Sequence, residues 1–271
     1  MKNAGPDDHL FRIVDHGDES EVHPSPYAGG PWNPDHQHGG AVSALLARSI
    51  DRLEAPVPMR IARLTIEMFR GVPLTPLRVR TRVVRGGRRI QGVVASILSG
   101  AVEGARATGL RIRRAKDLPE LEAGFARDPA LGRPPAQAPE LVERSEIPLI
   151  PGFARAVEID HEAAQACGTP ANVWSRLRCR VVAGEEPSPV VQLVSQVDFA
   201  SGTGNALDYT RYAAINPDLT IHVIREPRSD WIGIRGITRR ADDGIGQSLA
   251  TAHDLEGPVA HVAASLLLDR R

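Results

Sequence analysis

Asp198 is the acid in this chain best placed to do chemistry. In the run PVVQLVSQVDFA it follows Val191 by seven residues and Val194 by four, which puts all three on one face of a helix. A carboxylate on an apolar helix face, in the last turn where the helix dipole disfavours negative charge, is costly unless partnered. Acids held in such surroundings gather at functional sites, where they can serve as general bases toward water. The structural alternative is that Asp198 hydrogen-bonds the turn Ser201 to Gly204 that follows it. A second candidate group is His38-Gly39-Gly40, at the point where an apolar run begins. Backbone N–H groups at a helix start, unobstructed by side chains, can stabilise an oxyanion, whereas the structural use of such glycines is a tight turn. His38 is placed to orient this loop or line a pocket, and His36 is expected to be solvated. The pair has no third ligand at a workable spacing, so no metal is expected. Arg85, Arg88 and Arg89, with Arg239 and Arg240, suit either phosphate contacts or charged hairpin turns. Ser43 and Ser248 lack the G-x-S-x-G setting of a serine nucleophile.

The elements that must position these groups follow from the pattern of apolar residues. GGPWNPDHQHGG, residues 29–40, reads as a loop, and Ala41 to about Arg52 as a helix stopped by Pro56 and Pro58. Four strands are expected near 60–69, 76–85, 90–98 and 105–113. From Ala115 to about Glu140 prolines and charges mark a surface connection, with a short helix near 118–126. Strand-like runs follow at 152–160 and 172–182, then a helix over about 190–200 entered through Pro187 and Pro189. Four more strands are expected near 211–224, 230–239, 246–254 and 259–269.

The chain also repeats itself. Leu64-Thr65-Ile66 with Phe69-Arg70 returns as Leu219-Thr220-Ile221 with Ile224-Arg225, a constant offset of 155 (219 − 64). A repeat of domain size implies two tandem copies of one α+β unit, each a helix followed by an antiparallel meander. The expected bounds are 1–114, a linker at 115–145, and 146–271. The two sheets are expected to join edge to edge, which removes exposed edges. Lysine plus arginine equals aspartate plus glutamate, 33 of each, so there is no electrostatic footprint for nucleic acid. No apolar run is long enough for a membrane span, and the N-terminus has no signal-peptide core. Two cysteines, Cys167 and Cys179, without metal or redox spacing fit a reduced cytoplasmic protein.

The helix after a Gly-Gly loop, followed by a meander and then repeated, resembles the double hotdog fold. In detail the chain is similar to the acyl-CoA thioesterase II-like family. The marks are His38-Gly39-Gly40, Phe69-Arg70 with Val72-Pro73-Leu74, Asp198, the stretch LTIHVIREP (219–227), Trp231, and Asp254 with Gly257. The resemblance implies hydrolysis of an acyl-CoA thioester in fatty acid metabolism, with no cofactor and a homo-oligomeric state. It places Asp198 at the family's aspartate, Asn216 at its threonine position and Ala264 at its glutamine. Ala264 is then expected to face the second pocket close to Asp198, leaving a slower enzyme. The alternative is a non-catalytic acyl or acyl-CoA binding protein of the same fold. Asn33-Pro34-Asp35-His36 resembles a piece of the hotdog enoyl-CoA hydratases, but those need an aspartate where this chain has Pro31.

Overall fold

The computed structural model describes residues 2–115, 126, 128–134, 152–162 and 164–271. Two strands lie at its centre, β3 (Met59–Met68) and β11 (Asp218–Val223), which pair antiparallel. Thr65 sits opposite Thr220, Leu64 opposite Ile221 and Ile66 opposite Leu219, so the repeated tripeptides meet each other about a local twofold. The two threonine hydroxyls lie 3.3 Å apart. Leu64, Ile66, Leu219 and Ile221 all point to the buried side, which locks the register because a slip by one residue would turn them to solvent.

From this seam the sheet runs outward in matching order. On one side lie β6 (Val102–Arg113), β5 (Ile90–Ser99), β4 (Leu77–Arg85), β2 (Glu19–Pro24) and β1 (His9–His16). On the other lie β14 (Gly257–Arg270), β13 (Ile245–Asp254), β12 (Ile232–Arg240), β8 (Ala171–Leu177) and β7 (Val157–His161). Two short strands fall outside the correspondence. β9 (Arg180–Val182) pairs parallel with β1 and covers that edge, and β10 (Tyr212–Ile215) pairs with β14. The expected run at 172–182 therefore splits into β8 and β9. The run at 211–224 splits into β10 and β11, because Pro217 has no N–H to continue a ladder. The first helix, α1 (Gly39–Asp51), is buried around most of its circumference, and the second, α2 (Pro189–Gln196), packs on it. Each half is thus a helix cupped by an antiparallel sheet, the two units of a double hotdog. Burial disfavours the charge of Arg48 on α1, but Glu185 and Asp15 outweigh it and hold the guanidinium charged.

Of the expected linker, 128–134 lies against the outer face of the second sheet. Leu131 is buried there, its carbonyl accepts from Trp174 Nε1 at 3.1 Å, and Ala130 O accepts from Asn172. The helix expected at 118–126 falls almost wholly outside the described residues.

Candidate active site

The loop leading into α1 is fixed main chain to main chain by the segment that follows β3. Gln37 N donates to Val72 O at 2.7 Å, Leu74 N to Asp35 O at 2.8 Å, and Gln37 Nε2 to Pro73 O. Val72-Pro73-Leu74 therefore acts as a clamp on this loop. Asn33 Oδ1 accepts from Asp35 N, an Asx turn that accounts for the N-P-D-H piece without acid–base chemistry. His36 is half-buried and its ring lies against Gly71, rather than being fully solvated.

His38 caps α1: its Nδ1 accepts from Gly40 N at 3.0 Å. The ring stacks on Phe153 with centroids 4.6 Å apart and meets Phe199 at 5.8 Å. The same Nδ1 lies 3.2 Å from Asp198 Oδ2. Burial lowers the pKa of His38, the Asp198 carboxylate pulling the other way with less effect. A neutral ring whose Nδ1 accepts from Gly40 carries its proton on Nε2.

Asp198 lies beyond the end of α2, which stops at Gln196, in a 3-10 turn over Val197–Ser201. This corrects the expectation of a charge in the last α-helical turn. The carboxylate instead rests on the N-terminus of the other helix. A Cβ on Gly39 would fall 2.8 Å from both Asp198 oxygens, so the missing side chain is the room the carboxylate occupies. The positive end of α1 then faces a negative charge, the favourable sense of the dipole. Asn216, in the turn between β10 and β11, donates through Nδ2 to Asp198 Oδ1 at 2.9 Å. The turn after Asp198 makes no side-chain claim on the carboxylate: Ser201 Oγ donates to the main-chain carbonyl of Asp198, at 2.8 Å.

Four of the sequence-predicted residues thus meet in one cluster, namely His38, Gly39, Asp198 and Asn216. Gly40 plays a different part. Its N–H is engaged by His38, and a Cβ there would lie 2.5 Å from Ser195 O, so Gly40 is what lets α1 and α2 cross closely. Of the pair, Gly39 is the glycine whose N–H is not taken by His38, and it belongs to the first helical turn, where no intrahelical acceptor exists. Ala264 is buried on the inward face of β14, opposite Ser248, whose Oγ donates to Ala200 O. The side-chain donor to Asp198 is Asn216, not a group at 264. Phe153 and Phe199, which enclose His38, were not picked out from sequence. Phe153 reaches the site across more than a hundred residues of chain, and only its neighbour Gly152, packed on Gly29, hints at close approach.

The other motif residues build a structural corner. Arg225 Nη1 donates to Asp254 Oδ2 at 2.6 Å and Nη2 to Gly257 O, while Arg228 N donates to Asp254 Oδ2. Burial disfavours the Asp254 charge, but these donors outweigh it and hold its pKa at about 2. Among the turn arginines, Arg240 bends back to Asn205 Oδ1 and Ala206 O.

A double hotdog with this cluster at the meeting of its two helices defines the class of protein. The family comparison places it further. Residues 28–112 match the acyl-CoA thioesterase N-terminal domain and residues 129–268 the acyl-CoA thioesterase C-terminal domain, and the chain belongs to that family. Its class of reaction is thioester hydrolysis. Solved structures agree on the fold. A candidate thioesterase from Novosphingobium aromaticivorans superposes with a TM-score of 0.72 at 17% identity, over 95% of this chain and 98% of the other. A candidate thioesterase II from Thermobifida fusca gives 0.70 at 18% identity, over 96% of each chain. An acyl-CoA thioesterase II from Mycobacterium marinum gives 0.67 at 14% identity, over 97% and 96%. No curated protein matches the sequence. No described helix is long and apolar enough to cross a membrane.

Proposed function

We propose that this protein hydrolyses an acyl-CoA thioester to a free acid and CoA, with Asp198 as the base that activates water. The observation that carries this reading is the seating of the Asp198 carboxylate on Gly39 at the N-terminus of α1, with Asn216 on one oxygen and His38 beside the other. Asp198 is 5% exposed and His38 16%, so of the two His38 is the one that meets solvent. A thioester carbonyl held there points its oxygen at the Gly39 N–H, where the helix dipole favours the charge that develops as water attacks. The water gives its proton to Asp198. A proton on Oδ2 relieves the repulsion between two acceptors, this oxygen and His38 Nδ1 at 3.2 Å, a gain made only as the reaction proceeds. Asn216 holds the other oxygen and so fixes the plane of the carboxylate. Collapse of the tetrahedral intermediate breaks the C–S bond and releases the thiol, which takes up the proton.

Ala264 supports a second reading, a binding protein without turnover, since the position offers no amide to the reacting water. Release of free thiol from a panel of acyl-CoAs of different chain length separates the two. Turnover supports the enzyme, and saturable acyl-CoA binding without thiol release supports the binding protein. The units 1–114 and 146–271 work together in either case, because His38 and Asp198 come from different halves. A homo-oligomer and a cytoplasmic setting remain part of the proposal.

A further inference from the structure

The two loops that deliver His38 and Asp198 meet again at the protein surface. Trp32, six residues ahead of His38, packs on Tyr209 with ring centroids 6.2 Å apart. The Arg271 guanidinium lies over the Trp32 ring, 5.6 Å from its centroid, and Nη1 donates to Tyr209 O at 3.0 Å. Arg271 N donates to Arg211 O, and the Arg211 guanidinium lies over the Tyr212 ring. Arg240 joins the group through Asn205 and Ala206. All three arginines are exposed, and among the described residues each guanidinium is held by carbonyls or rings rather than by a carboxylate. Elsewhere arginines such as Arg48, Arg78, Arg176 and Arg225 are paired with acids. The acids nearest in sequence are engaged chiefly by their own turns: Asp208 accepts from Thr210 N and Oγ1, with the Arg211 charge acting on it more weakly and without an ion pair, and Asp269 accepts from Arg270 N. Burial pushes the Tyr209 phenol up to about 12, so it adds no negative charge. The result is a positive, aromatic-backed rim.

Its place relative to the site is set by β10. Arg211 precedes this strand and Asn216, bonded to Asp198, follows it. Five residues of extended chain span roughly 16 Å, a distance of the order of the extended pantetheine arm between the sulfur and the phosphates of CoA. We propose that Arg211, Arg240 and Arg271 bind those phosphates, with Trp32 and Tyr209 as the wall that holds the arginines forward. The proposal rests on the thioesterase reading, because it needs the sulfur to lie near Asp198. Guanidinium forks suit phosphate oxygens, and without a carboxylate ion pair among the described residues these arginines keep N–H groups for a ligand.

Desulfo-CoA has no thioester to cleave, so its binding by titration calorimetry tests the rim without turnover. The double variant Arg211→Gln/Arg271→Gln is expected to bind it at least about tenfold more weakly, with the difference shrinking at high salt. Arg88→Gln/Arg89→Gln, on the β4–β5 turn, serves as the comparison and is expected to bind as wild type does. Titration with 4′-phosphopantetheine distinguishes the source of the phosphate. An equal loss there extends the site to protein-borne carriers, and a smaller loss assigns it to the nucleotide end of CoA. Unchanged affinity in the first variant, a loss carried by the second instead, or no binding by a folded wild type would overturn the proposal. A protein that binds desulfo-CoA but releases no thiol from acyl-CoAs contradicts the hydrolysis reading alone.

Discussion

Gly39→Ala perturbs the site without removing any functional group. The new methyl would sit 2.8 Å from both Asp198 oxygens and 3.1 Å from its Cγ. Ordinary contact begins near 3.4 Å, so the carboxylate must retreat by about 0.6 Å (3.4 − 2.8). That is enough to spoil the 2.9 Å bond from Asn216 and the approach to His38. A misplacement of about 1 Å at a reacting group can cost on the order of 10²-fold, so a loss of roughly 10- to 10²-fold in turnover is expected. Stability should barely move. Replacing a glycine in mid-helix gains about 0.5–1 kcal/mol and less at this first helical position, while the weakened contact with the dipole costs about 0.3–1 kcal/mol. Gly40→Ala makes the contrast, because its methyl would meet Ser195 O, a main-chain atom that cannot swing aside. Separating α1 from α2 is expected to cost about 1–3 kcal/mol. Thiol release and thermal unfolding measured on both variants check this. A Gly39→Ala enzyme with wild-type turnover would refute the claim that the seat of Asp198 matters.

Asn216→Ala removes the donor on Asp198 Oδ1 and is expected to lower turnover by about 10²-fold, with little change in unfolding temperature because the residue is half-exposed. Arg225→Leu leaves Asp254, whose side chain is 0% exposed, without its cation. A loss of about 3–5 kcal/mol in urea unfolding is expected. His38 and His253 both titrate below the ordinary histidine value, chiefly through burial. Between that value and the lowered one the unfolded chain binds more protons, so stability is full above about pH 6.5 and falls as pH drops below it. It levels off once the folded rings protonate. Denaturant melts at stepped pH should show this loss on the acid side, and a flat profile would contradict it.

Much of the fold was legible because the repeat carried it. The offset of 155 pairs Thr65 with Thr220 at the centre of one sheet, and most strands fall within a residue or two of their apolar runs. The hairpin β1–β2 was not read, since residues 9–24 have no sequence counterpart among the motifs of the second half. The site was legible only in part. Asp198 shows itself by helical spacing and Gly39-Gly40 by composition, but neither signal says that the glycine of one half makes room for the acid of the other. That fact lies in the crossing of α1 and α2, a property of tertiary packing. The same limit explains the misassigned dipole: the sequence pattern runs on past Gln196, whereas the chain tightens there into a 3-10 turn and turns Asp198 toward the start of α1.

Single-turnover release of thiol by Asp198→Asn isolates the part this carboxylate plays in activating water. The amide keeps the volume of the carboxylate but cannot take a proton from water. With Asp198 as the base, the variant is expected to fold, to bind acyl-CoA still and to release thiol on the order of 10²- to 10⁴-fold more slowly. Release at the wild-type rate would show that Asp198 is not the base and would contradict the mechanism.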